Sequence, residues 1–165
     1  MRLHYGAIPE NQDFNPEAEG WLNVHEPGPI AIQFIAFPVA IILLFIWAVC
    51  IFSFQPYYLF SQVAKIDIGF LVIFILFFPL HEFLHALVHP NWGLSSNIII
   101  GLWLSKGLFY AHYEGVMSRN RLLLDLVMPF ILLGVLPTIM MVTIPELIPS
   151  LFWLSVLGSV YLVLI

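Results

Sequence analysis

Two histidines four residues apart, with a glutamate after the first, make His81-Glu82-Phe83-Leu84-His85 the stretch of this chain best equipped for chemistry. On a helix such imidazoles lie about 40° apart around the axis and about 6 Å apart along it. That spacing lets both rings reach one tetrahedral zinc ion from a single helix face. Glu82 adjoins the first histidine, where a carboxylate can serve a metal-activated water as general base without being a ligand itself. The setting sharpens the reading: Ile66 to Leu80 is almost wholly apolar, and Ala86-Leu87-Val88 follows. Ionisable groups within a membrane-length apolar helix are costly to insert and mark function when they occur.

A catalytic zinc takes about three protein ligands and keeps an open position. Asp125 is the first candidate for the third, because it sits roughly 6–9 Å below the start of a later apolar run, matching the depth of His85 below the helix end near His89. An alternative role for Asp125 is an i, i+4 ion pair with Arg121. His112 and Glu114 are rivals for the third position, sharing a face if their segment is a strand. His89 extends the histidine stripe but has drifted about 80° around the helix from His81, and it abuts a helix end where histidine is favoured by the dipole.

The elements that must position these groups are membrane spans. The chain has 165 residues, 61% hydrophobic and only 9% charged, whereas soluble domains carry about 25% charged residues. An all-α integral membrane protein of four transmembrane helices follows, with spans at about 30–54, 66–89, 121–144 and 149–165. Pro27-Gly28-Pro29 precedes the first span and Pro38 interrupts it, while Phe54-Gln55-Pro56-Tyr57-Tyr58 reads as an interfacial aromatic belt with a turn. Pro90 predicts the end of the second span, and Pro79 within it leaves the Ile75 carbonyl without its helical donor.

Residues 97–114 differ in kind. Two β-branched or aromatic runs flank Ser105-Lys106-Gly107, which predicts a β-hairpin between the second and third spans. Closed at Lys106-Gly107, the hairpin pairs Trp103 with Tyr110 and Gly101 with His112.

The net charge of −5 comes largely from residues 1–29, a polar surface segment holding Glu10, Asp13, Glu17, Glu19 and Glu26 against Arg2. It lacks the apolar core of a signal peptide, and its His4 and His25 read as solvated surface histidines. No basic footprint for nucleic acid exists. Cys50 is the single cysteine, so neither an intrachain disulfide nor a cysteine-based zinc site can form. With four spans, Arg2, Lys106, Arg119 and Arg121 share one side against Lys65 on the other, which puts both termini and the hairpin in the cytoplasm.

The zinc motif at the end of a span, the glycine-bearing strand pair ending Tyr110-Ala111-His112, and Ser118-Arg119-Asn120-Arg121 leading to Met128-Pro129-Phe130 resemble the putative zincin peptidases, a group of small bacterial membrane proteins. The resemblance covers about Ile66 to Pro137. More distantly, the layout is similar to the site-2 proteases, intramembrane zinc enzymes that place such a motif near the cytoplasmic face. It implies His81 and His85 as zinc ligands and Glu82 as base. Site-2 proteases take their third ligand from an Asp-Gly pair in a later span with upstream Asn and Pro; here Leu126 follows Asp125 and the proline comes after it. The expected activity is hydrolysis of a peptide or membrane-protein substrate in or beside the bilayer of a bacterial cytoplasmic membrane. The contrasting expectation is a non-enzymatic metal-binding membrane protein, a carrier or regulatory scaffold.

Overall fold

The structure, a computed structural model, describes residues 1–9, 20, 29–63 and 67–161. Expectations for His25, for the acidic residues between Glu10 and Glu26, and for Lys65 lie outside the described residues.

Helix α1 spans Pro29–Phe54, and short helix α2 spans Pro56–Val63, beginning within the stretch read as an aromatic belt with a turn. Helix α3 spans Ile68–Val88. Its first turn is capped by Asp67, whose carboxylate accepts from the Phe70 amide at 3.0 Å. It ends where expected, because Pro90 forces His89 into an extended conformation, φ −55° and ψ 160°. Three helical stretches, Phe34–Phe54, Ile68–Val88 and Arg119–Thr143, are long and apolar enough to cross a membrane. Their outward faces are dressed with Phe34, Phe37, Phe45, Ile68 and Ile75, all exposed, which suits hydrocarbon as solvent.

The third of these stretches is compound. Helix α4, Arg119–Pro129, passes into a π-helical turn over Phe130–Val135 and then into α5, Leu136–Thr143. The wide turn lies between Pro129 and Pro137, neither of which can donate a backbone hydrogen bond, and the Leu136 amide reaches back five residues to Ile131. Helix α6, Ile148–Tyr161, packs on α1, α3, α5 and the π turn. Its described length is about 21 Å, shorter than a full span, and residues 162–165 of the expected fourth span are outside the described residues.

The π turn and α6 touch backbone to backbone. A Cβ on Gly158 would sit 2.2 Å from the Leu133 carbonyl carbon, and one on Gly134 would sit 2.9 Å from Gly158, so this crossing needs two glycines. Beside it runs a directional polar chain: Trp47 Nε1 donates to Ser155 Oγ at 2.6 Å, Ser155 to Thr138 Oγ1 at 2.6 Å, and Thr138 to the Gly134 carbonyl at 2.7 Å. Apolar packing closes around it in two clusters, Trp47, Ile51, Met141, Ile148 and Phe152 in one, and Phe77, Leu84 and Leu133 in the other.

The hairpin is present, with β2 at Ile98–Trp103 and β3 at Leu108–Tyr113. Its register differs from the expectation by two residues: Trp103 faces Leu108 and Gly101 faces Tyr110. A tight turn at Lys106-Gly107 would require both residues at positive φ. Only Gly107 adopts it, at φ 62°, closing a short 3-10 turn over Leu104–Lys106. Because the shift is even, each side chain keeps its face.

Arg2–Tyr5 forms β1, parallel to β2 with Arg2 opposite Ile99, and the sheet order is β1-β2-β3. The fold is therefore mostly helical with a three-stranded sheet rather than all-α. His4, expected at the surface, is half-buried in β1. The Tyr110 ring lies across Gly101, where a Cβ would come within 2.0 Å of it, and its hydroxyl donates toward the Gly6 and Ala7 carbonyls, each at 3.3 Å. Arg2 pairs with Glu114 and donates to the Ser96 carbonyl, joining β1 to the far end of the hairpin.

Candidate metal and proton-transfer site

His81, Glu82 and His85 project from the last turns of α3. His81 and Glu82 are buried and His85 nearly so. The two imidazoles converge, with the Nε2 atoms of His81 and His85 3.1 Å apart. Two nitrogen donors of a tetrahedral zinc stand roughly 3.3–3.4 Å apart when each bond is about 2.0–2.1 Å. The separation of the pair is close to that of two corners of a zinc coordination sphere. Among the described residues, no group of three or more His, Cys, Asp or Glu side chains is arranged to hold a metal ion together.

Asp125 is brought to these histidines from α4. Arg121, one turn earlier, donates to the helix-end carbonyls of Val88 at 3.1 Å and His89 at 2.9 Å, capping the end of α3. Its guanidinium also lies 5.7 Å from the centre of the Trp92 ring. Docked in this way, α4 delivers Asp125 at the level of His85, so the expected match in depth is present. The ion pair with Arg121 is replaced by Arg121's capping of α3.

The carboxylate does not reach the space between the two Nε2 atoms. Asp125 Oδ1 lies 3.2 Å from His85 Nδ1, the ring nitrogen on the far side from His81, and Oδ2 lies 3.6 Å from His89 Nε2. It thus bridges His85 and His89. In this geometry Asp125 holds the outer nitrogen of His85, the arrangement by which carboxylates fix the ring and tautomer of metal-bound histidines. His89, ranked last by angular drift, is the third histidine of the cluster and is buried. Angular position on α3 does not foretell this, because Asp125 enters from the side and spans the gap.

Glu82 faces the sheet. Its Oε2 accepts from the Ala111 backbone amide at 2.9 Å, so β3 lies against α3 at the motif. Ala111 lies on the outer edge of β3, the terminal strand of the sheet, and its amide on that edge is taken by Glu82. The other two rivals for the third position are on or just beyond the same strand. Glu114 is engaged by Arg2. His112, outside the spanning helices, titrates below the usual histidine range, chiefly because burial disfavours its cation; neighbouring Glu114 opposes this shift and His89 adds to it.

Alongside the ionisable cluster, an apolar groove between α3 and α4 is lined by Leu84, Leu87, Val88, Trp92, Met128 and Leu132. The loop leading from α3 to the hairpin carries Asn91, Trp92 and Gly93 at positive φ, 61°, 52° and 82°. This turn holds Trp92 over the groove mouth and under the Arg121 guanidinium.

A family model described as "Putative zincin peptidase" matches residues 74–164, more than half of the chain, from the middle of α3 through α6. No curated protein and no solved structure matches.

Proposed function

The chain belongs to the putative zincin peptidase family, and from that premise we propose that it is a membrane-embedded zinc metallopeptidase hydrolysing a peptide bond in or near the bilayer, on the cytoplasmic side. One observation carries the reading: the Glu82 carboxylate sits 2.9 Å from the amide of Ala111 on an edge strand, so the candidate base and a place to lay an extended peptide coincide.

His81 and His85 would hold the zinc through their facing Nε2 atoms, with Asp125 orienting His85 from its outer nitrogen in the present geometry. For Asp125 itself to be the third ligand, its carboxylate would have to move to the other side of His85. His112 and Glu114 are the other side chains of this chain within the proposal. Zinc held there would supply positive charge to polarise the scissile carbonyl and acidify water.

Glu82 takes a proton from the attacking water and returns it to the leaving amine, the general base and then general acid of one cycle. The β3 edge aligns substrate by adding it as a strand, which takes the Ala111 amide over from Glu82 and suits a chain that must be extended to be cut. The apolar groove beside the site favours an apolar stretch of substrate, and the burial of Glu82 excludes bulk water from the proton transfer. The four-span arrangement, with Arg2, Lys106, Arg119 and Arg121 on the cytoplasmic side, belongs to the same proposal.

Zinc stoichiometry tests it. Purified full-length protein is expected to retain about one zinc per chain, and the His81→Ala/His85→Ala double variant none. Stoichiometric zinc in the double variant would reject the site.

A further inference from the structure

The two histidines of the motif are held in different ways. His85 has a polar partner at its outer nitrogen, Asp125 at 3.2 Å. The corresponding atom of His81, Nδ1, is buried without a hydrogen-bond partner. Metal-binding histidines almost always have that second nitrogen restrained by an acceptor, which sets the ring plane and so the direction of the metal-facing nitrogen. Something else must aim the His81 ring.

Two aromatic rings do so. Phe77, one turn earlier on α3 and itself buried, lies 5.7 Å from the His81 ring centre at 40°. Tyr161, from the last described turn of α6, meets the His81 ring edge-on, with centres 4.7 Å apart and planes at 82°. Tyr161 and Phe77 also pack edge to face on each other, 5.2 Å apart at 86°, and Phe78 lies 5.4 Å from Tyr161. The imidazole therefore sits in an aromatic corner built from two helices, one of which carries no part of the motif. Edge-to-face pairs at these separations are attractive and directional.

We propose that Tyr161, with Phe77, is a positioning residue for His81: its ring fixes the imidazole plane so that Nε2 faces that of His85, standing in for the hydrogen bond that His81 Nδ1 lacks. The contribution comes from the ring, not the hydroxyl. It ties zinc affinity to the docking of α6, giving the helix beyond the motif a role in the site. The inference rests on the reading of His81 as a zinc ligand.

The test compares Tyr161→Phe and Tyr161→Leu in the full-length protein in detergent or nanodiscs, with zinc affinity measured by competition against a chelating indicator. Tyr161→Phe is expected to bind within about twofold of wild type, and Tyr161→Leu about 10–100-fold more weakly, the range seen when an orienting partner is lost. A second readout needs no metal. In zinc-free protein the NOEs between the His81 and His85 ring protons, assigned by their absence in His81→Gln, should survive in Tyr161→Phe and weaken in Tyr161→Leu, because they report whether the two rings still face each other. Unchanged NOEs or unchanged affinity in Tyr161→Leu overturns the proposal, and equal weakening in both variants overturns the assignment to the ring. Wild-type protein that binds no zinc defeats the metal-site reading and the metal half of this proposal together, while the NOE comparison still decides whether Tyr161 orients His81.

Discussion

Asp125 Oδ1 meets His85 at Nδ1, 3.2 Å away, while His85 presents Nε2 to His81 at 3.1 Å. The two contacts use opposite sides of one imidazole. An orienting carboxylate of this kind is typically worth 10–100-fold in metal affinity, whereas removing one of three ligands abolishes stoichiometric binding. Asp125→Asn keeps an acceptor for the Nδ1 proton but loses the charge. It is expected to weaken zinc binding about 10–100-fold while leaving a measurable site. Complete loss of zinc from Asp125→Asn at saturating metal would instead make Asp125 a direct ligand.

Arg121 supports this arrangement from outside. Its hydrogen bonds to the Val88 and His89 carbonyls close the end of α3 and seat the first turn of α4. Arg121→Gln removes a charged donor to two helix-end carbonyls, and a hydrogen bond from a charged group contributes about 1.5–3 kcal/mol. The lower part of that range is expected, because the group is only part-buried. Thermal unfolding in detergent should report the loss, and a variant as stable as wild type would show that the cap is not structural.

The sheet offers a separate check. At Gly101 an added Cβ would lie 2.0 Å from the Tyr110 ring, so Gly101→Ala must push that ring away and release its hydroxyl from the Gly6 and Ala7 carbonyls. Overpacking of this sort costs about 1–3 kcal/mol. The expected signature is faster proteolysis near residues 1–9, with the helices intact by circular dichroism. Wild-type protection of that segment would contradict the described packing.

His112 carries a pH prediction. Burial holds its folded pKa below the ordinary 6.5, so the folded chain binds fewer protons there than the unfolded chain. Its contribution to stability is unaffected above the ordinary value and declines as pH falls through it, levelling off below the folded pKa. An NMR titration of the His112 ring should give a midpoint below that of a free histidine, and His112→Gln should remove this part of the acid sensitivity. A midpoint at or above 6.5 would contradict the environment described.

The parts of this site that were legible from sequence are those with a local signal. The apolar run before His81, the i, i+4 histidines and Pro90 place α3 and its end to within two residues. The β-branched and aromatic runs give the hairpin, but its register depended on whether Lys106 would accept positive φ, and the chain avoids that cost with a longer turn. Strand β1 left no local trace: Arg2-Leu3-His4-Tyr5 is short and mixed in polarity, and its partner lies at Ile99–Leu102. The same holds for Tyr161 and Arg121, whose roles arise only when α6 and α4 dock on α3. Helical spacing carries His89 about 80° around α3 from His81, yet a carboxylate from another helix reaches it. Groups joined through a second helix are not ordered by the geometry of the first.

The measurement that bears most directly on the account is peptide hydrolysis by Glu82→Gln with its zinc content determined on the same sample. The amide keeps an oxygen for the Ala111 contact but cannot accept the proton from water. With full-length protein in liposomes and a library of apolar peptides analysed by mass spectrometry, wild type is expected to cleave a subset. Glu82→Gln should carry the same zinc, about one per chain, and show cleavage lowered at least about 100-fold. Equal cleavage by the two zinc-loaded proteins would contradict the assignment of Glu82, and no cleavage by either, with zinc bound in both, would favour a metal-binding membrane protein without peptidase activity.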